Sequence, residues 1–329
     1  MAQETAPRLA IGLITRGRPG MLRRCLDSLG RLSRPAGVGE LVVAVVENAP
    51  ELTIGPLLDD FQAASGLKVP RANEPVPGIP AARNKVLDLV LEAGFDHLAF
   101  IDDDEVADPD WLDRLWNVHD GRGLDLTGGP VAILPPEDPS SEGLQARLVR
   151  RGLERRNDTV ARRATAHVAR GSDDKVTVVT NNWLVRLDFL RRTGVRFDAG
   201  LGLSNGSDTR FWRDLTAAGG RSGWAPDAWV REEMPASRLT FGYQFRRGRD
   251  QTLASMRTRG RSGGLRGLPS AVGFAVAKTV LAAGRVLAAP FNRGATLVLA
   301  ARALGAATGR LAALRSDRGS DHYRVVHGT

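Results

Sequence analysis

Cysteine is nearly absent from this chain, which has one, Cys25, among 329 residues. A single cysteine excludes a disulfide framework, and the N-terminus lacks the basic-then-apolar pattern of a secretory signal. We therefore expect folding in a reducing cytosol. Cys25 lies inside a helical pattern at residues 21–32, and we interpret it as a core residue and not as a nucleophile.

Acidic residues are scarce toward the C-terminus. From Arg238 onward there are 16 Lys and Arg against 3 Asp and Glu, whereas residues 1–237 have 30 against 34. Only 4 of the 46 basic residues are lysine, so the position of the charge is more informative than the choice of arginine. The apolar fraction of 42% is sufficient for a proper core.

Long uninterrupted apolar runs are also lacking. Segments 268–290 and 295–314 are rich in Ala, Val and Leu, but each contains two cations, Lys278 with Arg285 and Arg302 with Arg310. A cation near the middle of a spanning helix costs about 2.5–3.5 kcal/mol. Two interpretations remain: helices lying flat on an anionic membrane, or a helical hairpin packed on the rest of the protein.

Apolar runs alternate with helical patterns along most of the chain, which predicts an α/β fold with a doubly wound, mostly parallel sheet. Predicted strands lie at residues 9–14, 40–46, 67–69, 95–101, 124–134, 175–187 and 224–230. Predicted helices lie at residues 21–32, 80–93, 111–118, 144–163, 208–218, 268–290 and 295–314.

Four consecutive acidic residues, Asp102 to Glu105, follow the apolar run at 95–101. Carboxylates this close repel and raise one another's pKa, and a hard divalent cation relieves the repulsion by taking oxygen ligands. The carboxyl ends of strands in open α/β sheets are also where ligands bind. The alternative is a solvated acidic turn before the next helix.

Five short segments together resemble those of family 2 glycosyltransferases, in the same order and at similar separations. They are 11–16 (IGLITR), 45–48 (VVEN), 81–84 (AARN), 100–105 (FIDDDE) and 206–208 (GSD). The resemblance implies a GT-A fold, a nucleotide-diphosphate sugar donor, a divalent metal (Mn²⁺ or Mg²⁺) and inversion at the anomeric carbon. Within this family, the chain resembles bacterial enzymes that build exopolysaccharide. The resemblance divides the chain into a catalytic domain, 1–250, and a basic amphipathic helical extension, 251–329.

The acidic run matches the family's Asp-x-Asp pair. The resemblance assigns Asp104 and Asp102 to the metal, Asp102 also to the ribose, and Asp103 to support of these roles. A metal held by two carboxylates would stabilise the charge that develops on a departing nucleoside diphosphate. We expect Glu105 to face solvent, and Glu233 to substitute for a histidine that many relatives place in the metal site.

The nucleotide site follows from the same resemblance. Thr15 and Arg16 occupy the first-loop position near the pyrophosphate or ribose, and Glu47 lies where an acidic residue contacts ribose or base. Arg83 and Asn84 open a helix that faces the same crevice, and the planar fork of Arg83 suits phosphate.

An inverting transfer needs a base that takes the proton of the acceptor hydroxyl. The resemblance assigns this role to Asp208, which could also cap the following helix. Asn182 and Trp183 match a segment that borders the acceptor, although Trp183 could be a core residue. Arg246 and Arg247 could reach the diphosphate or the acceptor, or could face a membrane.

We therefore predict an inverting, metal-dependent glycosyltransferase that moves a sugar, preferably from a UDP-sugar, to a glycan or lipid-linked acceptor in surface polysaccharide synthesis. The expected location is cytoplasmic, peripheral at the inner face of the membrane. A sugar-phosphate nucleotidyltransferase fits less well, because loop 15–20 is not its glycine-rich nucleotide loop and lysine is scarce. A nucleic-acid-binding protein is disfavoured, because few aromatics follow Phe245 and the basic residues alternate with apolar runs.

Overall fold

The computed structural model describes residues 6–179, 181–201, 206–258 and 267–314. Its strands are β1 (Arg8–Thr15), β2 (Glu40–Glu47), β3 (Arg71–Asn73), β4 (His97–Ile101), β5 (Glu105–Ala107), β6 (Leu126–Gly128), β7 (Val131–Ile133), β8 (Asn182–Arg186), β9 (Ser222–Trp224) and β10 (Val230–Glu232). Its helices are α1 (Pro19–Leu29), α2 (Gly55–Ser65), α3 (Ile79–Glu92), α4 (Trp111–Gly121), α5 (Leu144–Val168), α6 (Leu187–Thr193), α7 (Ser207–Ala217), α8 (Phe241–Thr258), α9 (Leu268–Leu287) and α10 (Leu297–Ala312).

A seven-stranded sheet in the order β3-β2-β1-β4-β8-β6-β9 forms the centre of the protein. Its neighbouring strands are parallel except for β8, which runs antiparallel to both β4 and β6. A smaller sheet has the order β5-β10-β7 and continues from the end of β4 through the acidic run. The predicted α/β fold with a mostly parallel sheet is confirmed.

Apolar side chains on both faces of the central strands explain why these strands are nearly continuous hydrophobic runs. Leu9, Ile11 and Leu13 of β1 pack in one core cluster with residues of α1, α2 and α4. Ala10 packs in the opposite cluster with residues of α3, α6 and α7. Gly12 permits a close approach of α3, because a Cβ there would lie 2.8 Å from the Cγ1 atom of Val86.

Several predicted strands are shorter than expected or displaced. The strand predicted at 124–134 is two strands, β6 and β7, in different sheets, with Gly129 and Pro130 between them. The 224–230 prediction likewise falls between β9 and β10, and the 175–187 prediction shrinks to β8. Residues 67–69 form one isolated bridge, Lys68 with Val42, and the strand begins at Arg71 instead. Of the glycine-rich segment at 200–206, residues 202–205 lie outside the described residues.

The C-terminal helices pack on the α/β domain. Helix α10 lies against α8, α9 and α5, and Val298 of α10 shares a core cluster with Val149 and Leu153 of α5. The predicted boundary at residue 250 therefore falls inside α8. Within the described ranges, α9 is the one helix that is long and apolar enough to cross a membrane, judged by length and composition.

Candidate active site

The carboxyl ends of β1 and β4 open into a cleft of about 710 Å³, a volume typical of ligand pockets. Thr15, Arg16 and the acidic run line one side. Helices α5 and α8 also contribute lining residues, among them Arg156 and Arg247. The cleft thus contains both carboxylates and guanidinium groups.

Asp103 lines this cleft but is almost fully buried. The Thr15 hydroxyl donates to its Oδ2 atom at 2.6 Å, and Arg18 forms an ion pair with it. Burial raises the pKa of Asp103 to about 7 in spite of the charge of Arg18. Asp103 therefore ties the β1 loop to the acidic turn and exposes little surface to a ligand.

Asp104 is held between two arginines. Arg18 donates to its Oδ2 atom at 3.0 Å and Arg238 donates to the same atom at 3.2 Å. Arg238 also lies 3.6 Å from a carboxylate oxygen of Glu232. Within the acidic side of the cleft, positive charge from the protein already offsets part of the carboxylate charge.

Glu232, and not Glu233, is the carboxylate of β10 that lies near Asp104. The prediction that Glu233 substitutes for a histidine in the metal site is therefore wrong. Strand β10 pairs with β5 so that Glu232 lies opposite Glu105 and lines the cleft. The Glu233 carboxylate instead accepts from Arg24 through two bonds of 2.7 Å at the surface. Burial and the charge of Asp104 raise the pKa of Glu232.

Glu105 does not face solvent, contrary to expectation, and is only 1% exposed. Its carboxylate accepts from the backbone N–H of Asp102 at 3.0 Å and from the Nδ2 atom of Asn181 at 3.0 Å. Burial and the neighbouring carboxylates raise its pKa well above the usual range. Glu105 therefore stabilises the turn that presents Asp102 to the cleft.

Asp102 and Asp104 supply oxygen ligands of the kind that Mn²⁺ or Mg²⁺ prefers. Burial and the charges of Asp104 and Asp208 raise the pKa of Asp102, which a cation would relieve. The described residues contain no group of three His, Cys, Asp or Glu side chains placed to hold a metal. Among the described residues, Asp102 and Asp104 thus offer two carboxylates, a donor type that fits a hard cation.

Arg83 connects the acidic run with Asp208. Its Nη2 atom lies 3.4 Å from Oδ1 of Asp102, and its Nη1 atom lies 3.9 Å from Oδ1 of Asp208. Asp208 is the second residue of α7, after the cap residue Gly206, and makes no capping hydrogen bond. Asp208 therefore does not cap α7. Its carboxylate lies in the cleft, and the side chain is 31% exposed.

Two predicted nucleotide contacts are used for internal structure. The Glu47 carboxylate is buried and accepts from the N–H and hydroxyl groups of Thr53 at 2.5 and 2.6 Å. Asn84 donates to the Phe197 carbonyl at 2.9 Å and accepts from its N–H at 3.0 Å. The structure places neither side chain in the cleft lining, because their polar atoms hold neighbouring loops.

Asn182 and Trp183 belong to the core, so Trp183 follows the core alternative and the expected contact of Asn182 with an acceptor is corrected. Trp183 is fully buried and stacks on Phe100 with ring centroids 5.4 Å apart. Asn182 accepts from the Trp111 indole N–H at 2.8 Å and donates to the carbonyl groups of Pro130 and Ala228. Both residues lie on β8, which occupies the sheet interior.

The basic wall of the cleft contains residues that the motifs did not indicate. Arg247 lines the cleft, whereas Arg246 is exposed outside the lining. Arg156 of α5 joins Arg247, and Arg302 of α10 lies near both. Burial and the charges of Arg156 and Arg247 lower the pKa of Arg302 to about 9. The arginine-rich pattern of α5 was visible in the sequence, but the face it turns to the cleft was not.

Comparisons with known proteins agree with this architecture. The sequence profile of the glycosyltransferase like family 2 matches residues 7–252. Succinoglycan biosynthesis protein ExoM of Rhizobium meliloti (strain 1021) is 31% identical over 247 residues, which are 75% of this chain and 73% of that protein.

Two solved structures give a fold comparison. Mannosyltransferase PcManGT from Pyrobaculum calidifontis, in complex with GDP-Man and Mn²⁺, has a TM-score of 0.56 and 16% identity, covering 94% of this chain and 88% of that one. S. aureus TarS 1-349 with UDP has a TM-score of 0.49 and 13% identity, covering 91% and 90%. The likeness to PcManGT is one of fold, and this fold is that of the GT-A glycosyltransferases. The chain belongs to the glycosyltransferase like family 2 and is a glycosyltransferase, as predicted.

Proposed function

We propose that this enzyme catalyses inverting, metal-dependent transfer of a sugar from a nucleotide-diphosphate sugar to a glycan or lipid-linked acceptor in exopolysaccharide synthesis. The observation that carries the proposal is the contact of one buried side chain, Arg83, with both Asp102 and Asp208. It brings the metal-type carboxylate and the candidate base into one cleft. The description of ExoM as a succinoglycan biosynthesis protein supports the polysaccharide context.

On the donor side, Thr15, Arg16 and Arg18 form the β1 loop beside the acidic run. A divalent cation held by Asp102 and Asp104 would stabilise the charge that develops on the leaving diphosphate. Arg18 and Arg238, which pair with Asp104, would then be available for phosphate oxygens, which suit planar guanidinium groups. We expect a UDP-sugar as the donor.

At the reacting carbon, the acceptor oxygen forms a bond to the anomeric carbon while the bond to the diphosphate oxygen breaks. The Asp208 carboxylate takes the proton of the acceptor hydroxyl, as a general base does. Arg83 and the Ser207 hydroxyl, 3.4 Å apart, flank this carboxylate and orient it. The electron pair ends on the nucleoside diphosphate, and the configuration at carbon inverts.

On the acceptor side, Arg156 and Arg247 give the cleft a basic wall. Phosphate is a strong partner for guanidinium groups. We therefore infer that the acceptor carries negative charge, as a lipid-linked diphosphate does. This arrangement also supports a peripheral location at the inner face of an anionic membrane.

The decisive experiment compares Asp208→Asn with Asp214→Asn on the same helix, where Asp214 pairs with Arg210 at 2.8 Å. Asp208→Asn should lower transfer by roughly 10²–10⁴-fold because the proton acceptor is lost. Donor binding, measured by calorimetry, should be unchanged in both variants, and Asp214→Asn should retain transfer. Full transfer by Asp208→Asn would refute the assignment of the base.

The donor and the stereochemistry are tested with a panel of UDP-, GDP- and dTDP-sugars. Transfer from one nucleotide class, with NMR of the product showing the opposite anomeric configuration, would support the proposal. Retention of configuration would contradict it, since a single displacement inverts the carbon.

A further inference from the structure

Helix α9 turns its small residues inward and its large apolar residues outward. Ala271, Ala275 and Ala282 are its buried positions, and Ala282 packs with Ala300 and Ala303 of α10. The exposed large residues of α9 are Leu268, Val272, Val276, Val280, Leu281, Val286 and Leu287. We call this set the α9 apolar face.

The α9 apolar face continues beyond the helix to Phe291, whose side chain is 92% exposed. Four of its members, at 268, 272, 276 and 280, are spaced by four residues and so form one row on the helix. Monomeric proteins seldom leave a contiguous apolar surface of this kind in water, and such surfaces mark contact sites. These side chains therefore do not pack in the interior of the protein.

The charged residues of the segment that contains this face are all basic in the sequence. Residues 251–316 include ten Lys and Arg and no Asp or Glu. Exposed Arg293 lies two residues after Phe291, and Arg151 of α5 donates to the Arg293 carbonyl at 3.1 Å. Cations beside an apolar face complement anionic lipid headgroups, at about 1 kcal/mol for each cation near the surface.

The attachment of α9 to the domain favours an orientation along a membrane over one across it. Arg285 donates to the Leu299 carbonyl of α10 at 2.7 Å, and the Thr296 hydroxyl donates to the Arg285 carbonyl at 2.6 Å. Helix α10 in turn packs on α8 and α5. Lys278, near the middle of α9, would also be costly at the centre of a bilayer.

We propose that the α9 apolar face and Phe291 dock this enzyme on an anionic lipid bilayer, with α9 lying in the interface. The inference rests on the membrane location in the proposed function, but not on the transfer chemistry. It names the surface that contacts lipid: the outward row of α9 enters the headgroup region, and Arg293 and Arg151 face lipid phosphates. None of the residues of the α9 apolar face lines the cleft.

The test is flotation of the full chain with phosphatidylcholine vesicles, with and without phosphatidylglycerol, in the absence of any sugar nucleotide. The wild type should bind the anionic vesicles, less strongly as salt is raised. The double variant Val276→Glu/Val280→Glu should bind about tenfold more weakly or worse, because it places charge in the apolar layer. The matched control is Val76→Glu, since Val76 is 59% exposed and Val276 is 57% exposed; it should bind like the wild type.

Phe291→Ala gives a second reading with little risk to folding, and it should also weaken flotation. Circular dichroism establishes that each variant is folded. Sedimentation without lipid tests for the other possible occupant of the α9 apolar face, a second copy of this chain, because it detects dimers. Dimers that the double variant disperses, equal flotation with neutral vesicles, or unchanged flotation of both variants would each overturn the proposal. Loss of transfer activity plays no part in these outcomes, so failure here is distinct from failure of the proposed reaction.

Discussion

At the scale of single residues, four adjacent carboxyl groups have three kinds of environment. Asp103 and Glu105 are buried supports of the turn, whereas the Asp102 side chain is 31% exposed in the cleft. Asp104 is shared by two arginines. The differences come from alternation along an extended turn and from the partners that other elements supply, and not from residue type.

The ion pairs of Asp104 lead to a prediction about donor binding. Asp104→Ala should weaken donor binding in the presence of Mn²⁺ by about tenfold or more, because one of the two carboxylates proposed to hold the metal is removed. Without Mn²⁺ the affinities of variant and wild type should be similar. Calorimetric titration with and without metal measures both. Asp110→Asn, whose side chain pairs with Arg114 at the surface, is the control; equal weakening without metal would contradict the role in metal binding.

At the scale of elements, glycines set the distance between α8 and α10. A Cβ on Gly305 would overlap the Phe245 carbonyl oxygen, and a Cβ on Gly309 would overlap that of Arg249. On the opposing helix, Gly248 lies equally close to the backbone of Arg302. Because α8 carries Arg247 of the cleft, this packing also positions part of the site.

Gly305→Ala should therefore lower the free energy of unfolding by about 1–3 kcal/mol through overpacking. The matched control is Gly284→Ala in α9, where a Cβ would meet nothing within 4 Å. That change should be neutral or stabilise the protein by up to about 1 kcal/mol, since alanine is the better helix former. Urea unfolding measures both, and equal effects of the two substitutions would contradict close packing of α8 on α10.

At the scale of the whole molecule, two core histidines make stability depend on pH. His97 and His119 lie in the core with ring centroids 5.1 Å apart, next to Trp116. Burial and the charge of Arg186 lower the pKa of His97 to about 4, and burial lowers the pKa of His119 well below its usual range. Below about pH 6.5 these histidines bind protons in the unfolded chain but stay neutral in the folded chain. Their contribution to the free energy of unfolding therefore falls as the pH falls toward 4.

Asp103 has the opposite sign, because its raised pKa lets the folded chain bind a proton that the unfolded chain releases between about pH 4 and pH 7. The histidine effect is therefore measured as a difference between two proteins. From pH 7 to pH 5, His97→Gln should lose about 2 kcal/mol less unfolding free energy than the wild type. Urea unfolding at the two pH values measures this difference. If the variant and the wild type lose the same unfolding free energy, His97 is not neutral in the folded state and the prediction is contradicted.

The sequence was sufficient for the long elements and for the family. Strands β1, β2 and β4 and helices α3, α4 and α5 lie close to their predicted positions, because their apolar patterns are long and regular. Short strands such as β9 and β10 were misplaced, because three residues carry too little pattern and their pairing partners are distant in the chain. For the same reason Glu232 was missed: only its register with Glu105 brings it to the cleft.

By itself, the sequence determined the α/β alternation, the acidic run after a buried strand and the division of charge between the two parts of the chain. Only the tertiary structure decided which polar groups are open to a ligand. Neighbouring loops and strands take the hydrogen bonds of Glu47, Asn84 and Asn182. Arg83, in contrast, lies next to both Asp102 and Asp208 in the cleft. The physical reason is that a side chain's partners come from elements far away in the chain, and local pattern does not specify them.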